Sequence, residues 1–326
     1  MQRLQKRWFV NRRRSTNKVK RARLRRFQKA RNAADAKLHA LPNVVGSCFG
    51  IKKTAGGRTG DLCLTVFVRK KLPRSKLPAK HRVPQTLPRY GMDLPTDVVV
   101  VGKLREEFGF AFDDQTQLGT IGAFARRDGN FFGVTCAHCI TGSDGDFNTP
   151  DRIRMEFPTR NSFLWAGQSD LAAKIPGTGV TPNFGNFDAG LIQISDATVS
   201  AYVQTRPALP VFRPSPSLSP KELQDLLLYT PVQGWGAKTN NIIRAQVEGV
   251  DVSFESEYFD LLIGDPGADG LTRKGDSGLM WIGPYGQAYG IHMMGDGGGT
   301  DNSSVHSLAC FASRISDDFQ LDLLTT

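Results

Sequence analysis

Three residue types with the spacing needed for nucleophilic chemistry occur along this 326-residue chain. His138 stands in the segment Thr-Cys-Ala-His-Cys, Asp188 begins Asp-Ala-Gly-Leu 50 residues later, and Ser277 follows after a further 89 residues in Gly-Asp-Ser-Gly. A serine hydroxyl is a poor nucleophile at neutral pH. It becomes a good one when an imidazole takes its proton and a buried carboxylate orients that imidazole. The three residues therefore predict an activated serine.

The glycines beside Ser277 add a second element of this chemistry, because they let the backbone turn sharply. Such a turn can aim the amides of Gly275 and Ser277 at one developing oxyanion. In the order and spacing of these segments, roughly residues 115–320 resemble the chymotrypsin/trypsin-like serine endopeptidases. The resemblance implies that Ser277 is the nucleophile, His138 the general base and acid, and Asp188 the orienting residue. It implies a protein or peptide substrate, an oxyanion hole formed by the amides of Gly275 and Ser277, no cofactor and no metal.

A noncatalytic protein with a protease-like fold is the alternative. In that case the cleft would only dock peptide, and the amino-terminal part would bind a partner or nucleic acid. The two readings differ in what they expect of Ser277→Ala: an enzyme would lose turnover, whereas a binding protein would keep its function.

The residues around Ser277 also predict a specificity pocket. Trypsin-like members have a carboxylate six residues before the serine, where this chain has Leu271, so cleavage after Lys or Arg is disfavoured. Thr272 and His292 lie five residues before and 15 residues after Ser277. These types at these offsets resemble the bacterial glutamyl endopeptidases and the chymotrypsin-like cysteine proteases of picornaviruses. In those relatives the pair donates hydrogen bonds to a Glu or Gln side chain before the scissile bond. Alternatively, His292 bonds inside the fold and Leu271 marks a small apolar pocket.

Asp276 raises the question of activation. In secreted members of the family, a newly cut amino terminus pairs with the aspartate directly before the serine. Here the predicted protease part begins more than a hundred residues into the chain. Either Asp276 is satisfied by internal donors and the site is preformed, or the protein is latent until it is cut or bound.

The charge is concentrated in an amino-terminal arm. The whole chain carries a formal net charge of +11, with 42 Lys and Arg against 31 Asp and Glu. Residues 1–40 contain 15 of the basic residues and a single acid, Asp35, so the remainder is nearly neutral at −3. Such a dense charge predicts a disordered or helical arm that captures nucleic acid, an anionic membrane or an acidic partner. A solvated tail is the alternative.

Cysteine usage and hydropathy bear on the compartment. The five cysteines are an odd number, and their spacing does not resemble a disulfide framework. Cys139 is expected to be a free buried thiol, and no second Cys/His pair accompanies Cys136 and Cys139 at metal-ligand spacing. The arm lacks the apolar core of a secretory signal, and no apolar run reaches the roughly 18 residues of a membrane span. We expect a cytoplasmic protein.

The predicted fold is mainly β: a chymotrypsin-like double β-barrel preceded by a small α/β unit and the basic arm. Short strands separated by glycine turns predict the paired barrels, and six prolines mark a linker between them. Similar α/β units precede the protease part of many prokaryotic trypsin-like proteins. The predicted divisions are the arm (1–41), the α/β unit (42–104), the first barrel (115–204), the proline-rich linker (205–230) and the second barrel (231–320).

Overall fold

The computed structural model describes residues 29, 31, 33–54, 57–89, 92–106, 109–110, 117–140, 152–156, 163–177, 185–194, 228–239, 241–265, 270–299 and 303–323. Most of the predicted arm and nearly all of the predicted linker lie outside these residues. The predictions for those two segments therefore remain predictions.

The described residues form a mainly β structure, as the sequence predicts. The helical segments are α1 (residues 33–39) and α2 (Ala312–Phe319), with 3₁₀ turns at Arg74–Lys76, Ala79–His81 and Ala137–Cys139. The strands are β1 (Val44–Thr54), β2 (Gly57–Val68), β3 (Thr86–Arg89), β4 (Met92–Val100), β5 (Arg105–Glu106), β6 (Gly109–Phe110), β7 (Gln117–Leu118), β8 (Ala123–Arg127), β9 (Asn130–Thr135), β10 (Arg152–Glu156), β11 (Phe163–Ile175), β12 (Phe187–Ile194), β13 (Pro231–Gly236), β14 (Asn241–Phe254), β15 (Glu257–Gly264), β16 (Thr272–Arg273), β17 (Met280–Ile282), β18 (Ala288–Gly295), β19 (Ser303–Ser304), β20 (His306–Phe311) and β21 (Asp322–Leu323).

A hairpin of strands β8 and β9 leads to His138. Strands β8 and β9 pair antiparallel through the two-residue tip Asp128-Gly129. Both tip residues have positive φ, 50° for Asp128 and 80° for Gly129. A two-residue hairpin turn whose twist matches that of its strands needs this conformation, and an Asp-Gly pair adopts it readily.

Two large sheets contain most of the described strands. One has the order β10-β11-β12-β9-β8-β21. The other runs β13-β17-β18-β20-β15-β14-β1-β2-β4-β3, with β5 paired to β18, and a further pairing between β13 and β14 closes six of its strands into a ring. Within the ring, each of these pairings is antiparallel.

The strands of the predicted α/β unit continue the second sheet. Strand β1 pairs antiparallel with β14, and β2 pairs with β1 on one side and in parallel with β4 on the other. The backbone hydrogen bonds therefore run without a break from the strands of residues 42–104 into those of the predicted second barrel. The division at residue 104 remains a sequence prediction. Strands β1, β2 and β4 nevertheless belong to the same sheet as β17, the strand that follows Ser277.

One hydrophobic cluster joins the two sheets. It combines buried side chains of β8, β9 and β12 with others from β14, β15, β17 and β18, and it includes Val134, Leu191, Val252, Met280 and Met293. Among the residues that the structure describes, no helix has the length and apolar character needed to cross a membrane.

Candidate active site

The pairing of β9 with β12 places His138 beside Asp188. Gly190 lies opposite Thr135 in this antiparallel register, so Asp188, two residues earlier, lies beside the turn Ala137–Cys139 that follows β9. An oxygen of Asp188 contacts the ring Nδ1 of His138 at 2.5 Å, and its other oxygen accepts a hydrogen bond from the His138 backbone N–H at 3.2 Å. The carboxylate thus holds both the ring and the backbone of the histidine.

Both partners are buried, which strengthens this interaction. Asp188 is 1% exposed and His138 is 5% exposed. Because a carboxylate removed from water must be neutralised or hydrogen-bonded, two contacts to one histidine indicate a specific orienting role. A carboxylate at Nδ1 leaves Nε2 as the ring atom that can exchange a proton with a nucleophile.

Ser277 lies in a tight turn whose backbone conformation depends on glycine. Gly275 and Gly278 have φ of +105° and +96°, values that residues with a side chain rarely adopt. The amides of Asp276 and Gly278 are used within the fold, donating to the carbonyls of Arg273 and His292 at 3.0 and 2.9 Å.

The alternate amides of this turn are the predicted oxyanion donors. Within the described part of the chain, the amides of Gly275 and Ser277 donate no hydrogen bond. The hydroxyl of Thr120 holds the turn by donating to the Gly275 carbonyl at 3.0 Å, and its own oxygen accepts from the Ala237 amide at 2.9 Å. The predicted oxyanion hole needs two such N–H groups on a turn that its neighbours hold in place.

The Ser277 hydroxyl is hydrogen-bonded to strand β18. Ser277 is fully buried, and its Oγ donates to the carbonyl of Met293 at 3.3 Å. The Ser277 carbonyl accepts from the Thr120 amide at 2.7 Å and lies 3.6 Å from the Sγ of Cys139, the neighbour of His138. Since a hydroxyl has a single proton, attack on a substrate requires Oγ to turn from Met293 to the imidazole.

Asp276 is satisfied by donors within the fold. The carboxylate is fully buried and accepts hydrogen bonds from the amides of Lys238 and Thr239, each at 3.0 Å, and from the Arg273 amide at 2.9 Å. The hydroxyl of Thr239 donates to it as well. These contacts correspond to the preformed alternative of the sequence analysis, in which Asp276 needs no charged amino terminus.

The thiols of Cys136 and Cys139 contact the backbone carbonyls of His292 and Ser277. Cys136 donates through Sγ to the His292 carbonyl at 3.1 Å, and Sγ of Cys139 lies 3.6 Å from the Ser277 carbonyl oxygen. The hydrogen bond from Cys136 and the neighbouring His138 lower the pKa of the Cys139 thiol, against the effect of burial. Burial works against protonation of His138, but the negative charge on Cys139 and the hydrogen bonds to Asp188 and Cys139 raise the pKa of the imidazole.

A metal has little room in this arrangement. Ligand atoms of Cys136, His138 and Asp188 lie within 4.8 Å of one another. However, Oδ2 of Asp188 and Nδ1 of His138 are hydrogen-bonded to each other, and the Cys136 thiol donates to the His292 carbonyl. Because internal hydrogen bonds occupy these atoms, we assign no metal to them.

The predicted pocket residues converge on one segment, residues 303–307. Thr272 pairs with Ser304 across β16 and β19, and the Leu271 amide donates to the Ser304 carbonyl. The Nδ1 of His292 contacts the Ser307 hydroxyl at 2.8 Å, and that hydroxyl accepts from the indole N–H of Trp281 at 2.9 Å. Thr272 and His292 are fully buried and Leu271 is 5% exposed.

Two details of the pocket carry chemical information. Among the described residues, the hydroxyl oxygen of Thr272 has no hydrogen-bond partner although it is buried. The hydroxyl of Ser307, which already accepts from Trp281, can donate its proton to Nδ1 of His292. With Ser307 as the donor, Nδ1 of His292 is the acceptor of this hydrogen bond.

Sequence reasoning missed three supporting residues: Thr120, Met293 and Ser307. None lies in a recognisable motif, and each acts through a contact with a residue distant in sequence. The isolated Thr120 and Ser307 hydroxyls carry no signal of their own.

No family model matches the sequence, and no curated protein does either. Solved structures do match. Thermobifida fusca protease A is 17% identical, with 70% of this chain and 99% of that one covered and a TM-score of 0.40. A glutamic acid specific serine protease, described as using a novel histidine triad in substrate binding, is 13% identical, with 68% and 97% covered and a TM-score of 0.37. Alpha-lytic protease homolog N4 is 14% identical, with 68% and 96% covered and a TM-score of 0.36.

The chain is thus similar to chymotrypsin-like serine proteases of known structure. At these identities and TM-scores the likeness carries no argument about the site. Any assignment of activity depends on the contacts described above.

Proposed function

We propose that the protein is a serine endopeptidase that hydrolyses peptide bonds through Ser277, His138 and Asp188. The observation that carries the proposal is the buried Asp188 carboxylate bound to both the ring and the backbone of His138. The amides of Gly275 and Ser277, which donate no hydrogen bond to another described residue, support it, since they would stabilise the oxyanion of a tetrahedral intermediate. Asp276, satisfied internally, supports a site that needs no cleavage to form.

The proposed reaction assigns a role to each of these groups. After Oγ of Ser277 turns from Met293, it attacks the scissile carbonyl while Nε2 of His138 accepts its proton. Asp188 stabilises the imidazolium, which then protonates the leaving amine. A water molecule, activated by the same imidazole, hydrolyses the acyl-enzyme and releases the serine.

A set of fluorogenic peptides that differ only in the residue before the scissile bond tests this proposal. We expect turnover by the intact chain and its loss in Ser277→Ala, because the alanine lacks the nucleophile. A melting curve shows whether the variant is folded. Turnover that survives in folded Ser277→Ala would contradict the assignment.

We further propose a preference for Glu or Gln before the scissile bond. The buried hydroxyl of Thr272, which lacks a partner among the described residues, supports a ligand that supplies one, and the buried His292, in contact with Ser307, adds a second polar side chain. A Glu carboxylate or a Gln amide would supply that partner, whereas an apolar side chain would leave the Thr272 hydroxyl unpaired.

The substitution Thr272→Val tests whether Thr272 binds the substrate side chain or has only a structural role. Removing an unsatisfied buried hydroxyl should leave the free energy of unfolding unchanged or higher. The ratio of kcat/KM for Glu or Gln peptides to that for Leu peptides should fall by about tenfold, the effect of about 1.4 kcal/mol. An unchanged ratio would refute the pocket assignment and leave the protease assignment intact.

A noncatalytic peptide-binding protein is the second candidate. The hydrogen bond from Ser277 Oγ to the Met293 carbonyl favours it, because a hydroxyl held there is not poised for attack. Peptide binding without turnover, equal in the wild type and Ser277→Ala, would identify this function.

We propose a cytoplasmic location. All five cysteines are free thiols, and four of them are buried, as suits a reducing compartment. Fractionation of cells, with thiol alkylation before lysis, tests both the location and the reduced state.

A further inference from the structure

The two cysteines that flank His138 differ from the other three. Cys139 is the one partly exposed cysteine among the five, whereas Cys48, Cys63 and Cys310 are buried. Burial raises the pKa of Cys63 to about 11 and that of Cys310 to about 12, which leaves these thiols protonated and unreactive. The pKa of Cys139 is instead lowered, first by the hydrogen bond from Cys136 and then by His138.

The backbone geometry allows these two residues to be joined covalently. The Cys139 amide donates to the Cys136 carbonyl at 3.1 Å, which closes a four-residue turn. The first and last Cα atoms of such a turn lie within about 7 Å, close to the range that disulfides require.

Both sulfur atoms also touch the other half of the site. Sγ of Cys136 donates to the His292 carbonyl, and Sγ of Cys139 lies against the Ser277 carbonyl. A disulfide would remove the S–H group through which Cys136 donates to the His292 carbonyl. It would also draw the sulfurs to a separation of about 2 Å, which displaces the turn between them that carries His138.

We propose that Cys136 and Cys139 form a modification site at which a peroxide produces an intramolecular disulfide that lowers the activity of the centre. The effect on activity rests on the proposed protease function, whereas the oxidation itself does not. In the first step the Cys139 thiolate attacks a peroxide oxygen. The S–O bond forms, the O–O bond breaks, and the leaving oxygen takes a proton to become water or an alcohol.

In the second step Cys136 attacks the sulfur of the Cys139 sulfenic acid. The S–S bond forms, the S–O bond breaks, and the hydroxide leaves as water with the Cys136 proton. Two thiols are oxidised and one peroxide is reduced. A dithiol reverses the change by exchange.

Mass mapping of the full chain tests the site without any need for turnover. The tryptic peptide 128–152 contains Cys136 and Cys139 and no other cysteine. After treatment with hydrogen peroxide in the presence of a chelator, we expect this peptide to lose about 2 Da and to resist alkylation. Cys136→Ser and Cys139→Ser should each abolish the change, whereas Cys63→Ala, the matched control at a buried thiol, should keep it. Two alkylatable thiols in the peroxide-treated peptide would overturn the proposal.

The pH profile of kcat/KM tests the functional effect. Displacement of His138 should lower the plateau value of kcat/KM by at least about tenfold, since misplacement of a catalytic group by about 1 Å can lower the rate about a hundredfold. Loss of the Cys139 charge should move the acid limb to lower pH, because that charge raises the pKa of His138. Dithiothreitol should restore both. An unchanged plateau in protein shown by mass to be oxidised would overturn the regulatory part.

The two proposals fail in different ways. If the reduced chain cleaves no peptide, the protease assignment fails, and the mass map alone then decides whether the disulfide site exists. If the reduced chain cleaves and the disulfide does not form, only the present inference is lost.

Discussion

At the scale of single residues, the site depends on buried polar groups that share a few partners. Asp188 serves both the ring and the backbone of His138, and the His292 carbonyl accepts from the Gly278 amide and from the Cys136 thiol. Since each buried group would cost free energy without its partner, these residues constrain one another more tightly than exposed residues could. We therefore expect substitutions that remove one partner here to lower the free energy of unfolding as well as activity.

Asp188→Asn is expected to lower kcat by about 10⁴, because an amide can hold the wrong tautomer of His138. The pH dependence should change as well. Catalysis needs the neutral imidazole, so a raised pKa of His138 causes activity to be lost as pH falls through that pKa. Asparagine removes the contribution of the Asp188 carboxylate, and the acid limb should therefore shift to lower pH. The profile of kcat/KM between pH 5 and 11 measures both effects. An acid limb that stays in place would show that Asp188 does not set this pKa.

At the scale of elements, short connections position the chemistry more than the strands do. The pairing of β9 with β12 brings Asp188 beside the turn that carries His138, and the turn from Gly275 to Gly278 places Ser277 against β18. These turns have backbone conformations that few residue types can adopt, so their sequences are restricted even where the strands tolerate exchange.

Gly278→Ala should be among the most destabilising single changes in the chain. A Cβ there would lie 2.0 Å from the Thr120 carbonyl oxygen and 2.4 Å from Oγ1 of Thr135, at φ of +96°. Gly129→Ala is the matched control, since φ is also positive, +80°, but nothing lies within 4 Å of the added Cβ. We expect a cost of about 1–2 kcal/mol for Gly129→Ala from backbone strain, and a clearly larger cost for Gly278→Ala from strain plus collision.

Urea unfolding curves of the two glycine variants measure this difference. Equal midpoints would mean that the turn around Ser277 can move away from Thr120 without cost, which would contradict a preorganised site.

At the scale of the whole molecule, the amino-terminal arm is partly built into the body. Arg31 is fully buried and donates to the carbonyls of Asp251 and Ser47, the latter at 3.0 Å. Ala34 and Leu38 on α1 pack into a hydrophobic cluster with side chains of β1, β2 and β14. The predicted arm of residues 1–41 therefore has a helical, docked end, while its first 28 residues lie outside the described part of the chain.

Two truncations distinguish charge from structure. Residues 1–28 carry 12 Lys and Arg and no acid. Their deletion should abolish any salt-dependent binding of DNA or RNA, because electrostatic binding follows the basic charge. Deletion of residues 1–40 should also lower the thermal midpoint, since it removes Arg31, Ala34 and Leu38 from the buried structure. Filter binding at several salt concentrations and melting curves measure these effects. Binding that survives the shorter deletion would refute a nucleic-acid role for the arm.

The sequence by itself determined the residue types of the site, its mainly β character and the positions of its principal strands. Alternating and apolar runs mark β1, β2, β14 and β15, and an Asp-Gly tip marks the β8–β9 hairpin, because these are local signals that depend on side-chain periodicity and turn chemistry. His138, Asp188 and Ser277 could be selected because their order and spacing form a pattern.

Only the tertiary structure decided which of these residues touch, and through what partners. The contacts of Ser277 with Met293, of Thr120 with Gly275 and of His292 with Ser307 join residues that lie far apart in sequence or carry no motif. The pairing of β1 with β14, which joins the predicted α/β unit to the sheet of Ser277, is equally non-local. Such contacts depend on how strands pair and pack across the whole chain, and no short stretch of sequence contains that information.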